Sequence, residues 1–315
     1  MNVLVTGGAG FIGQNLVRRL LAEGNHVVIV DNLKCVTPDV FNWLGTDKRL
    51  DLRVVDIRDQ KTLLDCMEGV EEVYHLAANA DVPFSVKDPE YDFSTNIIGS
   101  KNVFEACLKH NIKRVIFTSS AAVYGIPTDS GAMSEETPLS PMSPYGGSKA
   151  AGEMLGISYW RAFGLPLRIV RLFNTMGPGQ RHYVMVDWYR KLLASGGKSI
   201  TILGDGTQVR DYVYVDDTVN ALLLVNRSDK AVGLPVNVAG GNSITIRALA
   251  EKYVKILGLE CEFNFSGESW KGDVPRLEGN ITRLTGLGWK PFVSLEDGLS
   301  RLFDDLERRF GRIGG

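Results

Sequence analysis

Short apolar runs alternate with longer stretches of helical period through the first half of the chain. Residues 27–30, 52–55, 73–75, 114–117 and 167–171 read as strands, and amphipathic segments separate them. Met1 to Thr6 supply another apolar strand at the start. Runs that are apolar throughout, rather than alternating, belong to strands covered on both faces, and parallel strands need crossover helices between them. The pattern predicts an α/β protein built on a doubly wound parallel sheet.

Past Asn174 the rhythm breaks at Gly177-Pro178-Gly179 and Gly204-Asp205-Gly206, which read as loops of a smaller lobe. Alternation then returns. Residues 212–215 read as a strand, Asp216 caps a helix running to about Asn226, and 235–238 form a further short strand. The expected division is a sheet domain over 1–173 that reclaims about 212–238, with 174–211 and 239–315 forming a C-terminal α/β substrate-binding lobe. Ser294 and Asp297 resemble a capping box that opens a helix to about Arg309. No repeat of solenoid spacing is present.

Composition narrows the function classes. The 315 residues are 44% hydrophobic and 23% charged, an ordinary balance for a chain that buries a sizeable core. A formal net charge of −2 with no Lys/Arg-rich run speaks against nucleic-acid and anionic-membrane partners. The first residues carry neither the basic nor the long apolar region of a secretion signal, and no apolar run reaches membrane-spanning length. Cys35, Cys66, Cys107 and Cys261 are scattered without metal-finger spacing, which suits free thiols in a reducing cytosol, so a cytoplasmic location is expected. His26, His75, His110 and His182 are dispersed, and no metal site is expected.

Directly after the first strand stands Thr6-Gly7-Gly8-Ala9-Gly10-Phe11-Ile12-Gly13, with G-x-G-x-x-G at Gly8, Gly10 and Gly13 and a second glycine spacing from Gly7. Glycine allows a tight turn and close backbone approach, and the helix from Phe11 to about Glu23 aims its unpaired N–H groups at a pyrophosphate. A plain glycine turn is the alternative, and the strand-loop-helix setting argues against it. Asp31, at the end of the next strand, suits an adenosine ribose diol. With Asn32 beside it rather than an arginine, it favours NAD over NADP. Asp56 is placed either for the adenine edge or for a helix cap.

Tyr145-Gly146-Gly147-Ser148-Lys149 sets a phenol and an ammonium on one helix face. A neighbouring cation lowers a phenol's pKa, which would let Tyr145 act as general base or acid on a hydroxyl group. A chance surface pair is the alternative. The run Thr118-Ser119-Ser120 at the end of a parallel strand decides between them, because ligands bind at the carboxyl ends of such strands.

The glycine loop, Leu76-Ala77-Ala78, Ser119-Ser120-Ala121-Ala122-Val123-Tyr124-Gly125 and Ser143-Pro144-Tyr145-Gly146-Gly147-Ser148-Lys149 resemble the nucleotide-sugar epimerase/dehydratase family of extended short-chain dehydrogenases/reductases, over nearly the whole chain. The resemblance implies a Rossmann-type fold, bound NAD and a Ser120-Tyr145-Lys149 triad. It places Gly7, Gly10, Phe11, Ile12, Gly13, Asp31, Asn32, Asp56, Ile57, Leu76, Ala77, Ala78 and Ser119 at the cofactor, with Lys149 on the nicotinamide ribose and Asn96 in support. Dehydratases of the family carry an Asp-Glu pair where this chain has Ala121 and Ala122. The implied reaction is therefore transient oxidation at C4 of a nucleotide sugar and return of the hydride to the other face. A homodimer through the helices at 96–110 and 145–163 is implied as well.

Three segments resemble the family's nucleotide-diphosphate grip and supply Asn174, Arg210, Asp273 and Arg276 as substrate residues. An ion pair with Asp211 or Asp217 is the alternative for Arg210. Trp270 stands where many members have an arginine, and Lys271 or Arg276 would replace it. Arg181 occupies a position that is acidic in many hexose epimerases and would suit a C6 carboxylate. The expected substrate is a UDP-hexose, UDP-glucose/UDP-galactose ahead of UDP-glucuronate or an N-acetylated sugar. A nucleotide-sugar reductase and a non-enzymatic NAD sensor are the competing functions.

Overall fold

A computed structural model of the chain describes residues 1–36, 40, 47–126, 131–269 and 272–314. Among them the strands run β1 (Asn2–Thr6), β2 (His26–Asp31), β3 (Leu50–Val54), β4 (Glu72–His75), β5 (Arg114–Ser120), β6 (Leu167–Leu172), β7 (Asn174–Met176), β8 (Ser199–Ile202), β9 (Val209–Tyr214), β10 (Pro235–Val238), β11 (Ser243–Thr245), β12 (Glu262–Phe265) and β13 (Arg276–Leu277). Seven of these make one parallel sheet in the order β10-β6-β5-β4-β1-β2-β3. The chain builds outward from β1 in one direction and from β4 in the other. The crevice between the carboxyl ends of β1 and β4 is the switch point where such sheets hold ligands.

Both faces of the sheet are covered, as the unbroken apolar runs require. On one face Leu16, Val17, Leu20 and Leu21 of the helix Phe11–Ala22 pack with Ala221, Leu222 and Val225 of the helix Val215–Arg227 against Val3, Val5, Ile29 and Val170. On the other, Val103 and Phe104 of Gly99–Lys109 meet Leu4, Val115, Phe117 and Ile169. Each such buried side chain contributes about 1.5–3 kcal/mol relative to exposure. β3 is the exception. As the sheet edge it leaves Val54 62% exposed, so its pattern alternates.

The second lobe has its own core of Met185, Trp188, Tyr189, Leu249, Tyr253, Leu299 and Phe303. Its sheet has β9 between β11 and β13, with β7 also on β9, and a separate pair joins β8 to β12. The strand expected at 212–215 is therefore β9, and it lies in this second sheet. What returns to the large sheet is the following helix together with β10. That helix begins at Val215 behind Tyr214, so Asp216 is not its cap but an acid in the first turn, favourable to the helix dipole. Ser294 does cap Leu295–Phe310, its Oγ accepting from Asp297 N at 3.1 Å.

Candidate functional site

The glycine loop turns tightly between β1 and its helix. Gly10 N donates to Gly7 O at 3.1 Å, and Gly7 has φ +69°. A Cβ at Gly13 would lie 2.1 Å from Gly7 O, and one at Gly7 would lie 2.7 Å from Ala77 N. The loop thus packs backbone to backbone on both its helix and the segment after β4, and leaves a cradle that side chains would fill. Phe11 and Ile12 open the helix and are packed into the two neighbouring cores. Thr6 Oγ1 ties the two sides, bonding His75 Nδ1 at 2.7 Å and accepting from Ala77 N at 3.2 Å, with Leu76 and Ala78 flanking. His75 Nε2 meets Ser100 Oγ at 2.9 Å, and burial drives the ring's pKa down to about 3, so it is neutral.

At the end of β2, Asp31 accepts from Ala9 N at 3.0 Å and Leu33 N at 2.9 Å. Burial pushes its carboxyl up, against those two donors and the charge of Arg181. Asp56 is bound by Arg58 in two-pronged fashion and by Asn32 Nδ2 at 2.9 Å, and the Arg58 guanidinium holds its carboxyl well below the ordinary range. It caps no helix; Asp59 caps Gln60–Asp65. Ile57 is buried against Gly99, and its carbonyl accepts from Asn102.

Tyr145 owes its place to a helix start. Ser143 Oγ accepts from Gly146 N at 3.2 Å, Pro144 takes the first helical position, and Pro144–Phe163 follows. The first turn consequently stands beside the end of β5, where the Ser120 hydroxyl is near enough to the Tyr145 phenol to act on its pKa. Lys149, one turn on, is 3% exposed and donates from Nζ to Thr118 O at 2.8 Å. The expected lowering of the Tyr145 pKa is not what the geometry produces. Burial raises it, the Ser120 hydroxyl offsets only part of that, the Asp92 charge adds to the rise, and Lys149 donates to the Thr118 carbonyl instead.

Asn96 sits in a π-helical turn, Ser94–Ile98. Its amide donates to Asn79 O, Asp92 Oδ1 and Ser148 Oγ and accepts from Asn79 N, so it braces the site from behind. Asp92, buried with it, was not foreseen. A carboxylate in an otherwise unremarkable P-E-Y-D-F stretch gives no periodic signal. The Ser119 hydroxyl is buried at the groove with no partner among the described residues.

Across the groove, the Asn174 Nδ2 is likewise buried and unpartnered. Arg210 pairs with Asp273 at 2.5 Å rather than with Asp211 or Asp217. Asp211 instead receives Gly240 N, and Asp217 receives Phe292 and Val293 N. Gly204, Asp205, Gln208, Ser269, Asp273 and Pro275 line a cavity beside this pair, into which sequence reasoning had not placed Gln208. Arg276 pairs with Glu278. Arg171, three residues before Asn174, is spent on a buried ion pair with Glu153 at 2.7 Å. The charge of Arg181 acts on Asp31 and Cys35, at the cofactor groove. Trp270 and Lys271 lie outside the described residues. Among those residues no cluster suits a metal ion, and no helix is long and apolar enough to cross a membrane.

Residues 3–239 match the model of the NAD dependent epimerase/dehydratase family. A putative UDP-glucose 4-epimerase of Methanocaldococcus jannaschii is 34% identical over 314 residues, covering 95% of this chain and 96% of that protein. The UDP-glucose 4-epimerase of Thermotoga maritima, solved with UDP-glucose, superposes with a TM-score of 0.91 at 34% identity over 98% of this chain and 99% of that one. The UDP-glucuronic acid 4-epimerase of Bacillus cereus, solved with UDP-glucuronic acid and NAD, gives 0.91 at 32% identity over 98% and 100%.

Proposed function

Because this chain belongs to the NAD dependent epimerase/dehydratase family, and so is an enzyme of the extended short-chain dehydrogenase/reductase type, we propose that it interconverts UDP-glucose and UDP-galactose by inverting C4. The observation that carries this is the buried Tyr145–Ser120 pair at the carboxyl end of β5, followed by Ala121 and Ala122. Those alanines offer no acid or base for removing water from the sugar, so oxidation at C4 and its reversal remain.

The glycine cradle fits a pyrophosphate, Asp31 fits a ribose diol, and the orphaned Ser119 hydroxyl fits a polar group at the nicotinamide end. NAD, when bound, supplies the hydride acceptor and then the donor at C4. Tyr145 acts in its ionised form: as phenolate it takes the C4 hydroxyl proton on its oxygen, and it returns that proton once the 4-keto sugar has turned over in the pocket. Ser120 shares the proton's hydrogen bond. Lys149 keeps a positive charge within one helical turn of the phenol and holds the cofactor ribose. Arg210, oriented by Asp273, offers its fork to the diphosphate, and Asn174 and Arg276 add donors.

Ile98, Met154 and Phe163 are 38%, 51% and 65% exposed on the two helical segments that would meet a second copy. They support a homodimer, and sedimentation equilibrium of the wild type against Met154→Glu tests it.

The activity test incubates the purified protein, without added cofactor, with UDP-glucose, UDP-galactose, UDP-glucuronate and UDP-N-acetylglucosamine, and resolves the products by NMR. Formation of UDP-galactose from UDP-glucose, lost in Tyr145→Phe, is the expected result. Conversion of UDP-glucuronate alone would transfer the assignment to a C6 carboxylate substrate, and conversion only with added NADH would make the enzyme a reductase.

A further inference from the structure

The loop between β7 and the helix Val184–Ser195 crosses the crevice at the switch point. Near its start it is fastened to the glycine-loop helix: Asn15 Nδ2 donates to Pro178 O at 3.4 Å and Gln14 Nε2 to Gly179 O at 3.5 Å. From outside, Asp305 Oδ2 accepts from Gly179 N at 2.9 Å and Arg309 donates to Gln180 O at 2.7 Å. At its far end Tyr183 donates its hydroxyl to Ala80 O at 3.2 Å, across 103 positions of sequence, in the segment that follows β4. One end of the loop is therefore anchored beside the cradle and the other on the opposite wall.

Tyr183 is held in an unfavourable way. Its φ is +76°, a region that side chains other than glycine, asparagine and aspartate rarely occupy. Such a conformation persists only where the surroundings impose it, and it collects at ligand clamps and switches. Core packing does not compensate, because the residue is 56% exposed. Desolvation, with the charges of Tyr145, Asp81 and Cys35, pushes its phenol well above the ordinary pKa. The charge of Arg181, two residues earlier in the same loop, acts on Asp31.

We propose that Tyr183 is a cofactor-retaining residue: its bond to Ala80 latches loop 177–183 over the bound dinucleotide and sets the rate at which NAD leaves. This rests on the NAD groove assigned above and on no particular sugar. A latch of this kind suits an enzyme that returns its own hydride, since a cofactor restored at every turnover has no reason to leave.

The test loads the wild type and Tyr183→Phe with etheno-NAD and follows its release into excess NAD by fluorescence. Tyr183→Phe loses only the hydroxyl, and release is expected to quicken about five- to tenfold, the worth of one hydrogen bond. Tyr183→Gly also removes the backbone strain, so it should release as fast or faster while its cofactor-free thermal midpoint rises. Release from Tyr183→Phe that is unchanged or slower overturns the proposal. Exchange is read with no nucleotide sugar present, so a failure to epimerise any UDP-hexose leaves the result interpretable.

Discussion

Lys149 donates from its ammonium to the Thr118 carbonyl at 2.8 Å while only 3% exposed. Burial brings its pKa down to about 8, against the opposing charges of Asp92 and Glu153. A lysine depressed in the fold and near 10.5 when unfolded leaves the unfolded chain holding more protons between those values, so stability rises with pH there. Below pH 8 the fold carries the whole cost of the buried charge. Lys149→Met should accordingly stabilise the protein by about 2–3 kcal/mol at pH 7 while abolishing the epimerisation proposed above. Calorimetry of the two proteins checks this, and a lower midpoint for Lys149→Met would show that the Thr118 bond outweighs the desolvation.

His75 carries a pH signature of the same sign, in a lower window. Its ring is held neutral, with a folded pKa of about 3 against 6.5 when unfolded. Its contribution is present in full above pH 6.5 and is lost as the pH falls toward 3, at about 1.4 kcal/mol per pH unit. Urea midpoints between pH 7 and 4.5 should fall less steeply in His75→Gln than in the wild type; equal slopes would assign the acid sensitivity to other groups.

At Gly13 an added methyl would stand 2.1 Å from Gly7 O and 2.7 Å from Gly8 Cα, all of it backbone that cannot swing aside. Gly13→Ala should cost about 1–3 kcal/mol of stability by overpacking. It should also weaken NAD by more than tenfold, measured by equilibrium dialysis. Gly147, with nothing near its Cβ position, is the control: Gly147→Ala should leave the fold intact.

The large sheet and its ligand crevice were legible because both follow from local signals: unbroken apolar runs for β1, β2, β4, β5 and β6, and glycines at fixed offsets after β1. Ser120, Tyr145 and Lys149 were legible as a spacing, and they do converge at the end of β5. What sequence could not supply depends on which groups meet across the fold. β9 has the strand character expected at 212–215, yet its partners β7, β11 and β13 place it in the second lobe. The Tyr145 pKa turned on the competition between burial and a cation whose direction only the structure gives. Arg210 and Asp273 are 63 residues apart, so neither Asp211 nor Asp217, though nearer in sequence, is the partner. The left-handed backbone of Tyr183 has no signature in a G-Q-R-H-Y-V run.

Arg171 and Glu153 form a pair that is almost wholly enclosed, 3% and 0% exposed, linking β6 to the helix Pro144–Phe163 one turn beyond Lys149. Arg171 Nη1 also reaches Tyr124 Oη at 2.9 Å, which donates on to Asn237 Oδ1 at 2.6 Å. Every member of the chain is satisfied by another, so deleting one charge strands its partner in a dry interior. Glu153→Ala should destabilise the protein by about 3–5 kcal/mol. Because desolvation offsets most of what the intact pair gains, Glu153→Leu combined with Arg171→Met should recover much of that loss. Chemical denaturation of Glu153→Leu, Arg171→Met and the double variant forms the cycle, with Glu153→Ala measured beside them. A double variant no more stable than Glu153→Ala would mean that the pair's bonds, Tyr124 included, outweigh its desolvation.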